Sequence, residues 1–361
     1  MPRESTTAME EKTLKHLRLM AALIAMMVFA VACTGGGDGS PSADADDSGE
    51  PMESMPMESM PMESAGAEAP EELVIGFVPS READALVETI QPVADYLSEA
   101  LGMPVSGVVT TDYTGLVTAM ESEQAHIGAF GPFSLLQARD RAGAEIILQS
   151  ERFGSATYHT QFMTNDPDKY CDDEPVVVDE ESGWMNCNGT ADADEGPVAV
   201  EKLAEIEEGT TVSFVEQASA SGYIFPATIF IAQGIDPETG IDPIFAGGHD
   251  SSVIAVCEGD AEVGVAFDDA RGAAETDCDI ASNVVVFAYG PEIPNDGWAV
   301  LGSLPDDLKE DIKQALLDYA ASDEGAAVLQ EIYEIDNLVE ADQDAFTIVE
   351  DAARELGIEG D

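Results

Sequence analysis

Residues 211–232, TVSFVEQASASGYIFPATIFIA, pass from a strand-like run through a small turn into a helix-like run. The turn contains Ser219, Ser221 and Gly222, and apolar runs lie on both sides of it. The first amides of a helix have no acceptor within the helix, and the helix dipole adds partial positive charge there. Because serine hydroxyls add further donors, the segment predicts a seat for an oxyanion at the end of a strand.

Strands and helices alternate on both sides of that seat. Strands are predicted at residues 73–78, 105–110, 126–130 and 145–148 and, beyond the seat, at 262–267, 284–288 and 298–301. Helices are predicted at 83–101, 113–123, 134–142, 223–233 and 251–258, and over most of 308–356. This alternation predicts an α/β protein with mostly parallel sheets covered on both faces. Because it falls into two blocks, we expect two lobes with a ligand cleft between them.

The charge of the chain is strongly negative and excludes some partners. The 361 residues contain 14 Lys+Arg against 73 Asp+Glu, a formal net charge of -59. Nucleic acids and anionic membranes bind basic surfaces, so neither is an expected partner. With so few cations, the sequence predicts that uncharged amide and hydroxyl donors hold the oxyanion without help from lysine or arginine.

The N-terminal residues have the pattern of an export signal. Lys12, Lys15 and Arg18 precede an apolar run at residues 19–32, and Cys33 follows small residues. This pattern resembles the bacterial lipoprotein signal, which implies removal of residues 1–32 and acylation of Cys33 as a membrane anchor. An ordinary secretory signal is the alternative. Residues 33–70 are rich in Gly, Ser and a Met-Pro-Met-Glu-Ser repeat, and they are predicted to form a disordered tether.

Beyond Cys33 the chain has four cysteines, Cys171, Cys187, Cys257 and Cys278. An even number outside the cytoplasm predicts two disulfides, and sequence alone allows three pairings. Cys171–Cys187 and Cys257–Cys278 are favoured because they close short loops. The first of these would tie a surface insertion at residues 165–197.

Metal and cofactor sites are not expected. Asp192, Asp194 and Glu195 are spaced in a way that allows calcium binding, but the loop lacks the full EF-hand pattern, and a solvated loop is favoured. The cysteines show no CxxC spacing of the kind typical of zinc sites.

Several short motifs recur in a recognisable order along the chain. They are Ile-Gly-Phe-Val-Pro-Ser at 75–80, Asp-Tyr at 112–113, Ala-Phe-Gly-Pro at 129–132, Ser-Gly-Tyr at 221–223, Phe-Ala-Gly-Gly-His-Asp at 245–250 and Ile-Pro-Asn-Asp at 293–296. Over residues 72–320 this order resembles the phosphate/phosphite/phosphonate-type substrate-binding proteins of ABC transporters. The resemblance implies a type II periplasmic-binding-protein-like fold, with lobe 1 at residues 71–160 and 290–361 and lobe 2 at residues 161–289.

The resemblance also implies a set of ligand-binding residues. The oxyanion cradle of the family matches Ser219, Ala220, Ser221, Gly222 and His249, although the family usually has threonine where this chain has Ala220. The pocket tyrosines of the family match Tyr113 and Tyr158, and the acidic residues that meet a ligand amine in some relatives match Asp268, Asp269 and Asp296.

The resulting functional hypothesis is a monomeric, extracytoplasmic binding protein. It would capture a small phosphorus oxyanion and deliver it to an ABC permease and its ATPase. A receptor for another small solute on the same fold and an extracytoplasmic sensor are the alternatives. An enzyme is not expected, because the sequence has neither a Gly-x-Ser-x-Gly elbow nor an HExxH motif, and adjacent His249 and Asp250 are poorly placed to act on each other.

Overall fold

The computed structural model describes residues 69–81, 83–192 and 196–358. The predicted signal peptide, Cys33 and nearly all of the predicted tether lie outside these residues, as do Asp194 and Glu195 of the calcium alternative. Within the described residues the strands are β1 (Leu73–Phe77), β2 (Val105–Val109), β3 (Ile127–Phe130), β4 (Ala144–Glu151), β5 (Thr157–Thr164), β6 (Val176–Val177), β7 (Met185–Asn186), β8 (Thr211–Phe214), β9 (Asp242–Phe245), β10 (Val263–Phe267), β11 (Val285–Pro294), β12 (Gly297–Leu301) and β13 (Asn337–Glu340).

The α-helices cover both sheets and connect their strands. They are α1 (Ala83–Thr89), α2 (Gln91–Leu101), α3 (Tyr113–Glu121), α4 (Pro132–Ala142), α5 (Pro167–Tyr170), α6 (Phe225–Ala232), α7 (His249–Glu258), α8 (Ile280–Asn283), α9 (Asp306–Ala320), α10 (Asp323–Tyr333) and α11 (Thr347–Leu356). The single helix predicted at 83–101 is divided into α1 and α2 around Ile90. Pro92 lies in the first turn of α2, where its missing N–H costs nothing, and Gly102 ends α2 in the left-handed region at φ 65°.

The strands form two mixed sheets. The first has the order β13-β4-β12-β3-β1-β2 and the second has the order β6-β7-β11-β5-β10-β8-β9. β1 is parallel to β2 and β3, whereas β12 is antiparallel to β3 and β4. In the second sheet β10 is parallel to β8 but antiparallel to β5. The prediction of mostly parallel sheets is therefore only half right, because strands that return from the other sheet run in the opposite direction.

The chain crosses between the sheets twice, at residues 152–156 and 295–296. The two crossings lie side by side: the Asn295 amide donates to the Ala156 carbonyl at 2.8 Å, and the Ser150 amide donates to the Asp296 carbonyl at 2.9 Å. The lobe boundaries expected at 160/161 and 289/290 fall inside β5 and β11, both of which belong entirely to the second sheet.

Two disulfide bonds stabilise the second sheet and its surroundings. Cys171 pairs with Cys187 and Cys257 pairs with Cys278, which are the pairings that short loops favour. The first bond holds the segment that was expected to be a surface insertion. That segment carries β6 and β7, and β7 extends the second sheet by pairing with β11.

Candidate functional site

A narrow cavity that is partly open to solvent lies between the two sheets. The side of the first sheet contributes Val78, Ser80, Arg81, Tyr113, Gly131, Pro132 and Tyr333. The side of the second sheet contributes Tyr158, Ser219, Ala220, Ser221, His249 and Phe267. The two crossings contribute Arg152 and Asp296.

Helix N-termini from both lobes reach the cavity. The lining includes Tyr113, Pro132 and His249, the first residues of α3, α4 and α7, together with the turn that precedes α6. Each N-terminus carries partial positive charge and amides without an intrahelical acceptor. The backbone alone therefore makes the cavity favourable for an anion.

The predicted seat at 219–222 is a capped turn. Ser219 is the N-cap of a π-helical turn at Ala220–Ile224, and its Oγ accepts the Gly222 amide at 3.1 Å. Ala220 and Ser221 occupy the next two positions, whose amides lack intrahelical acceptors. Gly222 is needed for close packing, because a Cβ there would lie 2.4 Å from the Cβ of Val215.

His249 is positioned as a neutral donor. Its Nδ1 accepts the Phe267 amide at 3.1 Å, so in the neutral ring Nε2 carries the hydrogen. Nε2 lies 3.4 Å from the Ser219 Oγ. Burial, followed by the charges of Arg152 and Arg81, lowers the pKa of His249 to about 3. The side chain therefore offers an N–H without a positive charge at neutral pH.

Three tyrosines on the cavity wall keep their protons. Burial is the main cause of the raised pKa of Tyr113, Tyr158 and Tyr333, and the charge of Asp296 adds to it in each case. The Tyr333 hydroxyl donates to the Val78 carbonyl, which holds it against the end of β1. The Tyr158 phenol hydrogen-bonds with the Ser221 side chain. This hydrogen bond offsets only part of the rise in the Tyr158 pKa.

Two arginines and one glutamate form a charged cluster at the cavity. Nη2 of Arg81 and Nη2 of Arg152 each lie 3.1 Å from Oε2 of Glu334. The guanidinium carbons lie 5.8 Å and 4.5 Å from the centre of the Phe267 ring, within cation–π range. Arg152 is 5% exposed, so its charge acts with little screening by water.

Asp296 contributes a carboxyl group to the same wall. Burial raises its pKa, and the charges of Arg152 and Arg81 oppose that shift without cancelling it. A carboxyl group with a raised pKa can either donate a hydrogen bond when protonated or accept one from a protonated ligand oxygen when ionised.

Seven of the ten residues expected at the ligand line this cavity: Tyr113, Tyr158, Ser219, Ala220, Ser221, His249 and Asp296. Gly222 lies directly behind Ser219 and shapes the turn. The structure does not bring Asp268 and Asp269 into the lining. Asp268 accepts the His159 amide at 2.7 Å and contacts His159 Nδ1 at 3.0 Å, while Asp269 binds the Arg271 guanidinium. Burial favours the neutral His159, but the Asp268 contact outweighs it and raises the pKa of His159.

The prediction placed no lysine or arginine at the site, but Arg81 and Arg152 both line the cavity. Their positions carried a usable signal: Arg81 directly follows the Val-Pro-Ser motif after β1, and Arg152 directly follows β4. Ligands of α/β sheets bind beyond the strand ends, so an arginine at such a position is a candidate ligand-binding residue. Phe267 and Tyr333 were also missed, because aromatic residues in apolar runs look like ordinary core.

The described residues contain no group of three or more His, Cys, Asp or Glu side chains placed to hold a metal ion. Among the helices of this part of the chain, none is both long enough and apolar enough to cross a bilayer.

Comparison with known proteins gives a consistent result. A model of the ABC transporter phosphonate periplasmic substrate-binding protein family matches residues 75–346. The phosphate-import protein PhnD of Mycolicibacterium smegmatis is 27% identical over 209 residues, which cover 55% of this chain and 56% of that protein. The match thus spans little more than half the length of this curated relative. The family match confirms the resemblance inferred from the ordered motifs.

Solved structures share the fold at low identity. PhnD1 from Prochlorococcus marinus, solved in complex with methylphosphonate, has a TM-score of 0.65 and 17% identity, with coverage of 80% of this chain and 99% of that chain. A binding-protein component of an ABC phosphonate transporter from Pseudomonas aeruginosa has a TM-score of 0.63 and 19% identity, covering 78% of this chain and 85% of that chain. These similarities establish a two-lobed α/β periplasmic-binding-protein fold.

Proposed function

Because the chain belongs to the family of ABC transporter phosphonate periplasmic substrate-binding proteins, we propose that it captures a small phosphorus oxyanion in the cavity between its sheets. The ligand class is a phosphonate, phosphite or phosphate. The protein then presents the bound anion to an ABC permease and its ATPase. The observation that carries this proposal is the convergence of neutral donors and two arginines on one buried cavity.

The chemistry of a phosphoryl group suits these donors. Its oxygens accept several hydrogen bonds, and the wall offers the hydroxyls of Ser219 and Ser221, the His249 Nε2–H and the phenols of Tyr113 and Tyr158. Hydrogen bonds to a charged acceptor are short and strong, and water exclusion strengthens them further. Arg81 and Arg152 add full positive charge to this set of donors.

The same geometry argues against hydrolysis by a serine nucleophile. A general base must accept the serine proton, but the His249 Nδ1 already accepts the Phe267 amide, so Nε2 is a donor towards Ser219. With a pKa of about 3, His249 also has little affinity for a proton at neutral pH. A binding role therefore fits the site better than a catalytic one.

Capture and release require the lobes to move relative to each other. The paired crossings at residues 152–156 and 295–296 connect the lobes and carry Arg152 and Asp296, so a hinge there would move ligand-binding groups directly. A monomer suffices for this cycle, because both walls of the cavity come from one chain. Light scattering of the purified protein with and without ligand tests the monomeric state.

The proposal includes an extracytoplasmic location with a lipid anchor at Cys33 and residues 33–70 as the tether. Its support is the sequence pattern before Cys33. Membrane fractionation of cells that express the full chain or a Cys33→Ser variant tests it. Release of the variant alone from membranes is the expected result, and equal retention of both would contradict the anchor.

Isothermal titration calorimetry tests the ligand class. Phosphate, phosphite and methylphosphonate are titrated into the protein, with sulfate and acetate as comparison anions. We expect tight binding of at least one phosphorus oxyanion and no catalytic turnover. The proposal fails if none of the three binds.

Two serine variants connect that binding to the cavity. Ser221→Ala removes a buried donor and should weaken binding by about 1–3 kcal/mol, the range for a hydrogen bond to a charged group. Ser106→Ala, at the edge strand β2, removes only a surface hydrogen bond to Glu72 and should bind as the unmodified protein does. Equal affinity of both variants would place the ligand elsewhere.

A further inference from the structure

Each of the two cavity arginines has a buried nitrogen that makes no hydrogen bond to the described part of the protein. Within the described residues, Arg152 Nε and Arg81 Nη2 are buried without a hydrogen-bond partner, although Arg81 Nη2 is within ion-pair distance of Glu334. The Arg152 side chain is 95% buried and lines the cavity. Buried unsatisfied donors are unfavourable, so a buried guanidinium with a vacant donor at a cavity wall indicates an acceptor supplied by a ligand.

The cavity lining itself has two guanidiniums against one carboxyl group. Behind the lining, the Glu334 carboxylate lies 3.1 Å from both arginines, and Asp250 acts on Arg81 as well. Asp296 is the one carboxyl group among the cavity-lining residues, and burial favours its neutral form. His249 is neutral as well, so the wall has a surplus of positive charge that an anion would compensate.

Two of the three carboxylates that the resemblance assigned to a ligand amine have other partners, and the third, Asp296, lines the cavity near the two arginines. Asp268 contacts His159 and Asp269 contacts Arg271, and neither lines the cavity. Three further acidic residues lie in an outer cleft that shares only Arg81 with the cavity lining: Asp250, Glu275 and Glu331. A ligand ammonium would have to pass the Arg81 guanidinium to reach that cleft.

The next inference rests on the proposed function. We propose that Arg152 and Arg81 bind the phosphoryl oxygens directly and select against phosphonates that carry an ammonium group. An ammonium held beside two guanidiniums is repelled, and the repulsion is strong where water is excluded. The remaining wall offers apolar surface from Val78, Pro132 and Phe267, which suits hydrogen or a short alkyl substituent. The ligand class is therefore narrowed to phosphate, phosphite and simple alkylphosphonates.

Calorimetry with a matched pair of ligands tests the selection. 2-Aminoethylphosphonate and propylphosphonate have the same number of heavy atoms and differ in a terminal ammonium or methyl group. We expect 2-aminoethylphosphonate to bind at least about tenfold more weakly, the ratio that a loss of roughly 1.4 kcal/mol produces. Equal or tighter binding of the amine would overturn the inference. If no phosphorus oxyanion binds at all, the proposed function itself has failed. That outcome differs from one in which both ligands bind equally well, which contradicts only the selection.

Arginine variants test the cause of the selection. Arg152→Gln and Arg81→Gln should each weaken propylphosphonate binding by roughly 10- to 100-fold and should narrow the gap between the two ligands. Arg141→Gln, which breaks an ion pair with Glu121 away from the cavity, should leave both affinities unchanged. Thermal unfolding shows which variants are folded. If Arg152→Gln does not fold, Arg81→Gln alone provides the test. A ligand preference unchanged in the folded arginine variants would overturn the assignment.

Discussion

The two walls of the cavity offer different kinds of groups to an anion. The wall of the second lobe offers uncharged donors, mainly the 219–222 turn and His249, and they lie close together in sequence or along one sheet. The wall of the first lobe and the crossings offer the guanidinium charges of Arg81 and Arg152, together with the carboxyl group of Asp296. Neutral donors fix the positions of the ligand oxygens and select for oxygen acceptors, whereas guanidiniums balance the negative charge of the ligand. A protein of net charge -59 thus concentrates part of its scarce positive charge where an anion would bind.

Acid should protonate His249, so that the second wall is no longer neutral. The resulting loss of folding stability is the largest effect that we expect. The folded-state pKa of His249, about 3, lies below the unfolded value of 6.5. Stability from the neutral histidine is therefore complete above pH 6.5 and is lost as pH falls towards 3, because the unfolded state binds the proton first. The loss is about 1.4 kcal/mol per pH unit within that window.

Denaturant unfolding from pH 4 to pH 8 measures this loss for the unmodified protein and for His249→Gln. The variant should lose less stability on acidification, by about 3 kcal/mol at pH 4. His159 provides the comparison of opposite sign, since contact with Asp268 raises its pKa. The stability that protonated His159 contributes is present below pH 6.5 and is lost as pH rises through the folded-state pKa of His159. Parallel curves for the unmodified protein and His249→Gln would disprove the neutral role of His249.

A second prediction concerns the shape of the neutral wall. Gly222→Ala places a Cβ 2.4 Å from the Val215 Cβ, so the turn must shift, and the free energy of unfolding should fall by about 1–3 kcal/mol. Gly131→Ala on the opposite wall meets its nearest atom, Tyr113 Cε1, at an ordinary 3.5 Å, and should cost less than about 1 kcal/mol. Denaturant unfolding compares the two variants. Equal losses would mean that the tight packing of the turn has no special role.

The smallest effect concerns a contact that joins the two walls. Glu216, which follows β8 of the second sheet, accepts the Tyr113 amide at the start of α3 at 3.1 Å. Glu216 is outside the cavity lining, so its removal should act only through lobe closure. We expect Glu216→Ala to lower ligand affinity by about 1 kcal/mol, chiefly through faster dissociation.

Glu216→Gln keeps an oxygen acceptor for the Tyr113 amide and is the matched control. Stopped-flow or surface-based dissociation rates of bound phosphonate separate the two variants. Equal dissociation rates for Glu216→Ala and the unmodified protein would show that this contact does not hold the lobes together.

Much of the second wall was predictable, because its information is local. The strand at 211–214, the serine N-cap and the glycine that follows lie within a dozen residues, and backbone preferences act over that distance. β5, β6, β7, β9 and β13 were not predicted. β5 contains Tyr, His, Thr and Gln and lacks a clear apolar pattern, yet it pairs with both β10 and β11 in the centre of the second sheet. Its strand conformation depends on those neighbours.

The amino-acid sequence by itself determined the α/β class, the family, the cysteine pairs that short loops favour and the donor turn at 219–222, since each rests on periodicity or on short-range spacing. Only the tertiary structure decided the charged wall. Arg81, Arg152 and Glu334 are far apart along the chain and meet because β1, β4 and α10 end at the same edge of the first lobe. It also decided that Asp268 and Asp269 contact other side chains and lie outside the cavity lining. Which partner a charged side chain meets depends on distances of a few ångströms, and those distances exist only after the chain has folded.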